Sequence, residues 1–280
     1  MNLSEKSINQ KILNYAKDIG ASDVNKVRTT IALERLVARI QSSEKLQGKL
    51  AFCGGFVLYE EGITDRYTRD VDMVSAEIDH DKVIANVIEA IETDLKDGFW
   101  FGSTLVETII DDVFYGGIRF RPYYKIGEPY PKKGMTESLR RIHLDLSFQS
   151  IEFEKLKKTK ITQVINEYED ISWSVYPLEL IAADKVHAIL SRAGLSTRAK
   201  DLYDLYYILD NIDKEELHKN IFKVCTERDY ELSKKVWVLF ENIETDNLKR
   251  NWSKIDFKKG RIDFETCLTR VLQNLRIMDL

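Results

Sequence analysis

Residues 50–74, LAFCGGFVLYEEGITDRYTRDVDMV, constrain this chain more than any other stretch. A short apolar run, Leu50 to Cys53, meets Gly54 and Gly55. A helix-like segment follows, then a turn, then Asp70-Val71-Asp72. Read as a strand, Arg69 to Val74 puts Asp70 and Asp72 on one face and Val71 and Met73 on the other. Two carboxylates about 7 Å apart along a strand repel each other. A divalent cation with oxygen ligands relieves that repulsion. A Gly-Gly turn lets backbone approach a phosphate, and a helix N-terminus offers its free N–H groups. A phosphate cradle beside two metal-binding carboxylates points to nucleotidyl-transfer chemistry. D-x-D alone equally describes two solvated acids on a strand edge. The order strand, Gly-Gly, helix, D-x-D is what favours a site.

The chain has 280 residues, enough for one large or two medium domains with a sizeable core. With 44% hydrophobic and 31% charged residues it has a globular composition. Its formal net charge of −4 does not mark a strongly basic nucleic-acid binder, although a total hides local patches. Cys53, Cys225 and Cys267 are odd in number, far apart and outside any CxxC pattern. They read as reduced thiols of a cytoplasmic protein rather than a disulfide framework or zinc site. The first residues lack a signal-peptide core, and no run of about 18 apolar residues predicts a membrane span.

Periodicity organises the rest. Ile8, Ile12, Tyr15 and Ile19 predict one helix stopped by Gly20. Ser22 or Asp23 caps a second, with Val27, Ile31, Leu36 and Ile40 on its buried side and Gly48 closing the segment. Val83, Val87, Ile91 and Leu95 make a stripe on a helix over 79–97, ended by Asp97-Gly98. Strands are expected over 104–110 and 118–126, with a turn at Gly116-Gly117 and a loop around 128–137. In RIHLDLSF, residues 141–148, Arg141, His143, Asp145 and Ser147 alternate with Ile142, Leu144, Leu146 and Phe148. Residues 152–176 are mixed and include the lysines 155, 157, 158 and 160. From Pro177 onward the pattern is helical, with Gly194 as a stop and a second helix from Thr197 to Leu209. This predicts an α/β (α+β) architecture: residues 1–175 form a mixed sheet flanked by helices, and residues 176–280 a helical domain.

Three further residues bear on chemistry. Asp145 sits mid-strand among apolar neighbours, where Asp is disfavoured. It is either a salt-bridge partner of Arg141 or a neighbouring lysine, or a third metal ligand brought beside Asp70 and Asp72 by strand pairing. Lys185 lies on or beside the apolar stripe of its helix. It is either a snorkelling lysine or a point charge for a triphosphate. In STRAKDLYDLYYIL, residues 196–209, Asp201 and Asp204 lie three apart, off the buried face of Leu202, Leu205, Tyr206 and Leu209. They describe a charged helix exterior, or Lys200 and Asp201 facing a site across a cleft.

Together these pieces resemble the AbiEii/AbiGii-type toxin family of the nucleotidyltransferase superfamily, with a DNA polymerase β-like fold. The resemblance rests on Gly54-Gly55 followed by R-x-T-x-D-V-D (Arg66, Thr68, Asp70, Asp72), and on LDLSF around Asp145. YPLELIAADKVHAIL around Lys185 and R-x-K-D-x-x-D (Arg198, Lys200, Asp201, Asp204) complete it. It covers roughly residues 30–210, and the last two motifs are the more specific. The chain departs from the family pattern at Cys53, where a lysine is common, and at Phe56, where a threonine is common. Asp184 stands where Glu is usual.

The resemblance implies an enzyme that moves a nucleotide from an NTP to an acceptor with Mg²⁺ or Mn²⁺, losing pyrophosphate. It implies activity residues Asp70, Asp72, Lys185 and Asp201; the residues themselves add Asp145 as a catalytic candidate, with two metal ions, both on Asp70 and Asp72 and one also on Asp145. Nucleotide contacts are implied for Gly54, Gly55, Arg66, Thr68, Lys185 and Lys200. It implies a toxin of a toxin–antitoxin or phage-defence system, a cognate antitoxin as partner, and for some relatives the 3′ end of tRNA as acceptor. The acidic balance keeps a protein or small-molecule acceptor in view. A non-catalytic module that binds nucleotide or a partner protein is the reading from another class.

Overall fold

A computed structural model describes residues 3–109, 116–131, 136, 138–192, 198–257 and 262–280. Ile110, Gly194, Ser196, Thr197 and part of the 128–137 stretch lie outside these. The chain forms two compact units. One takes residues up to 60 and, among those described, 67–175; the other takes 61–66 and 176–280.

The first unit begins with α1 (Glu5–Asp18), capped by the Ser4 hydroxyl, and α2 (Val24–Ser42), capped by the Asp23 carboxylate. Gly20, at φ +65°, ends the first in the left-handed conformation glycine tolerates. β1 (Leu50–Cys53) runs directly into α3 (Gly54–Glu60). β2 (Asp70–Ser75), α4 (His80–Glu92), β3 (Phe99–Ile109) and β4 (Gly117–Ile126) follow. β5 (Arg140–Arg141), β6 (His143–Phe148), β7 (Lys157–Ile161) and β8 (Ile171–Val175) complete a mixed sheet. The strand order is β3-β4-β6-β2-β1-β8-β7, with β5 on β4. β2 pairs antiparallel with β1 and parallel with β6, and β1 is parallel to β8. Phe52, Val71, Met73, Leu144, Leu146 and Trp173 are buried. α3 closes on that apolar side, with Phe56 5.9 Å from the Trp173 ring.

Two expectations are corrected here. The helix expected over 79–97 ends at Glu92, and Asp97 is a buried anchor rather than a helix end. Arg39, 1% exposed, forks onto Asp97 with two 2.9 Å bonds and donates to the Phe99 carbonyl at 2.7 Å. Arg35 adds 2.8 Å bonds to Asp97 and Gln163. The strand expected from Thr104 starts at Phe99 instead. A register shift between Gly102 and Leu105 breaks the alternation that would have shown it.

The second unit is helical. α5 (Leu178–Leu190) follows Pro177, then come α6 (Ala199–Ile208), α7 (Lys214–Glu227), α8 (Val236–Glu241), α9 (Asp246–Trp252) and α10 (Phe264–Ile277). Residues 61–66 are tied to it by an antiparallel bridge from Arg66 to Phe257. Among the described residues no helix is long and apolar enough to cross a membrane.

The Asp97 network makes a prediction. Removing one partner from a buried ion cluster costs about 3–5 kcal/mol, because the remaining charges stay buried and uncompensated. Asp97→Ala strands two guanidinium groups, so urea denaturation should show a loss of about that size. A loss below about 1 kcal/mol would contradict the role given to this cluster.

Candidate active site

The polar face of the first unit's sheet follows from strand alternation. In β2, Val71 and Met73 are buried while Asp70 and Asp72 are half-buried. In β6, Leu144 and Leu146 are buried while His143 and Asp145 are half-buried. The parallel register then sets His143 beside Asp70 and Asp145 beside Asp72. Residues paired in register share a face, so all three aspartates stand on one side of adjacent strands, about 4.8 Å apart from strand to strand.

Two smaller residues shape this face. Gly54 has φ +74°, and a Cβ there would overlap the Asp72 carboxylate. Glycine is therefore required both by the turn from strand into helix and by the room Asp72 occupies. Thr68, expected among the nucleotide contacts, donates from Oγ1 to Asp70 Oδ1 at 2.7 Å and so orients that carboxylate. Cys53, across the antiparallel register from Asp72, is half-buried. Gly55 and Phe56 are buried in α3.

Arg119 was not singled out by its sequence position. On β4 it stands opposite Asp145. Its Nε and Nη2 reach the two Asp145 oxygens at 2.8 and 2.6 Å. This is the bidentate fork that guanidinium and carboxylate geometry favours. The hydrogen bond to Asp145, then the charges of Asp145, Asp70 and Asp72, raise the Arg119 pKa. Arg141, the salt-bridge partner considered for Asp145, instead stacks over the Tyr123 ring at 4.2 Å. Burial, then the Arg119 and Arg121 charges, hold His143 below its ordinary value.

A divalent cation fits the chemistry of Asp70 and Asp72, which are hard oxygen donors on one face of β2, with the Asp72 carboxylate packed against Gly54. Asp145 is of the right type and in the adjacent position, but both its oxygens are on Arg119. Among the described residues no three His, Cys, Asp or Glu side chains are drawn together as a ready ligand set.

The remaining expected residues lie in the second unit. Asp204, expected on a helix exterior, is fully buried. Arg66 forks onto it at 2.7 and 2.6 Å. Lys185 Nζ lies 2.6 Å from Asp204 Oδ2 and 2.9 Å from Asp201 Oδ1. Lys185 is 6% exposed, so it is buried together with its partners rather than snorkelling. The other Asp201 oxygen has the Arg198 guanidinium 3.7 Å away. Burial works to lower the Lys185 pKa, but the Asp201 and Asp204 charges overcome it and raise it. Burial works to raise Asp201, and the Lys185 and Arg198 charges outweigh that and lower it to about 2. Two cations and two carboxylates thus pair in one buried network with Arg198 at its edge, the arrangement in which buried charge is tolerated. Lys200, beside Asp201 on α6, is exposed.

A mixed sheet with an acidic face, joined to a helical unit with a buried Lys–Asp network, is a nucleotidyltransferase-type architecture. A crystal structure from H. pylori, described as a candidate nucleotidyltransferase, superposes with a TM-score of 0.57 at 12% identity, covering 89% of this chain and 93% of that one. JHP933 from Helicobacter pylori gives a TM-score of 0.53 at 14% identity, covering 89% of each chain. These likenesses concern the fold. No curated protein matches the sequence. The family profile "Nucleotidyl transferase AbiEii toxin, Type IV TA system" matches residues 35–274. The chain therefore belongs to the AbiEii family of nucleotidyltransferase toxins of type IV toxin–antitoxin systems.

The lowered Asp201 pKa gives a pH prediction. A carboxylate whose folded pKa lies below its unfolded value stabilises the fold fully above the unfolded pKa. For Asp201 that contribution is complete above 3.8 and lost as pH falls through about 2. The stability difference between the wild type and Asp201→Asn should be constant near neutral pH and shrink below about pH 4. A difference unchanged down to about pH 2 would show that Asp201 does not carry this charge coupling.

Proposed function

We propose that this protein transfers a nucleotide from an NTP to an RNA end, with the 3′ end of tRNA as the leading acceptor, in a Mg²⁺- or Mn²⁺-dependent reaction. The observation that supports this best is the β2–β6 register, which lines Asp145 beside Asp72 with Asp70 two residues before it. Asp70 and Asp72 would hold the cation, and Asp145 would join them. A bound divalent cation would offset charge on the triphosphate and on the leaving pyrophosphate.

The chain's own groups do the rest. Thr68 fixes the orientation of Asp70. Gly54 leaves room for the Asp72 carboxylate, and Gly54 and Gly55 at the start of α3 are the backbone assigned to the triphosphate. Asp145, once Arg119 has released an oxygen, positions the acceptor hydroxyl and takes its proton as that hydroxyl attacks the α-phosphorus. Arg66, Lys185 and Lys200 are the cations assigned to the nucleotide. Arg66 and Lys185 can serve phosphate only by exchanging a carboxylate partner for it, because both are paired with Asp204. Asp201 then works through Lys185, keeping it in place and charged.

Nucleotide addition to tRNA ends would stop translation in the cytoplasm. That fits a toxin controlled by a cognate antitoxin and used in phage defence.

Purified protein, total tRNA and each α-labelled NTP in turn provide the test. Label should enter an RNase-sensitive, protease-resistant product in the presence of Mg²⁺. Asp70→Asn and Asp72→Asn, folded by circular dichroism, should cut transfer by about 100-fold or more. Undiminished transfer by both variants would overturn the assignment. Label in a protease-sensitive product would move the acceptor to a protein.

A further inference from the structure

Asp70, Asp72, Asp145 and Arg119 stand together on the polar face, with Arg121 beyond them held by Glu107. Among these four groups two net negative charges remain, which one divalent cation balances. A second cation would overcharge the cluster unless further anions came with it. The Arg119 fork takes one lone pair on each Asp145 oxygen, at 2.8 and 2.6 Å, so a cation on Asp145 would sit against the guanidinium charge. It is also two-thirds buried, which strengthens a charged contact relative to one in open water.

We propose that Arg119 is a positioning residue that sets how many cations this face accepts. With Arg119 forked, the face takes one cation, on Asp70 and Asp72. A second cation ligates Asp145 only once Arg119 has let it go. The group that releases it is a triphosphate: phosphate and carboxylate offer a guanidinium the same bidentate geometry, so Arg119 can trade one for the other. The triphosphate also brings the negative charge that a second cation needs. The face would thereby complete itself only when nucleotide is present. This rests on reading the aspartate face as a cation site.

The test is Mn²⁺ binding to the full chain, followed by electron paramagnetic resonance, with no turnover required. Wild type should bind one Mn²⁺ alone and two with a non-hydrolysable NTP analogue. Arg119→Gln, with one more net negative charge on the face, should bind a second ion without nucleotide about tenfold tighter than any second site on wild type, though less tightly than with nucleotide present. Adding Asp145→Asn to that variant should return it to one. Arg119→Lys keeps the charge but loses the fork, so it should bind the second ion with intermediate affinity. It also serves if Arg119→Gln does not fold. Identical stoichiometry and affinity in wild type and the folded Arg119 variants would overturn the proposal, as would two ions on nucleotide-free wild type. Failure of the underlying reading would look different: Asp70→Asn and Asp72→Asn would leave all Mn²⁺ binding unchanged.

Discussion

Parallel pairing of β2 with β6 places like charges side by side, and the first unit's polar face depends on it. At an effective dielectric of about 20, two charges about 5 Å apart repel by about 3 kcal/mol. Something must hold the register against that. The opposite face does so: Val71, Met73, Leu144 and Leu146 are essentially fully buried, and each contributes roughly 1.5–3 kcal/mol relative to exposure. A slip of either strand by one residue would turn its two apolar residues outward, so the apolar face dictates where the acids stand. Arg119 offsets part of the remaining repulsion without removing the carboxylates from the surface.

The second unit treats charge differently. Arg66, Asp204, Lys185 and Asp201 are buried and paired with one another, while Asp201 Oδ2 has, among the described residues, only the Arg198 guanidinium 3.7 Å away. Such a cluster adds little net stability over apolar packing but is costly to break in part. It fixes the segment 61–66 onto α5 and α6 through a contact 138 residues apart in sequence. It also holds Lys185 charged at any physiological pH. The first unit leaves its carboxylates half-buried on a sheet face, and the second buries its carboxylates with cations.

The legible parts of this chain are those set by local periodicity. Asp70, Asp72 and Asp145 stand out because strand alternation has a period of two and their neighbours are apolar. The α/β class and the later helices are readable for the same reason, as is the second helix's cap, which falls on Asp23 of the two candidates Ser22 and Asp23. What stayed hidden depends on non-local pairing. Arg119 looks like any polar residue of an alternating strand until β4 is laid against β6. Asp204 looks like an exposed helical acid until Arg66 and Lys185 are brought to it. Asp97, read as a helix end, is buried by arginines about 60 residues earlier on α2. The start of β3 is masked by its own register shift.

The central claim is that the Asp70–Asp72 face holds the cation and the triphosphate of an incoming nucleotide. Crystals grown with Mn²⁺ and a non-hydrolysable NTP analogue test it most directly through anomalous scattering. The account predicts a manganese peak about 2.1 Å from carboxylate oxygens of Asp70 and Asp72, with triphosphate density alongside. Manganese and nucleotide bound together elsewhere, with the Asp70 and Asp72 carboxylates unligated, would contradict it.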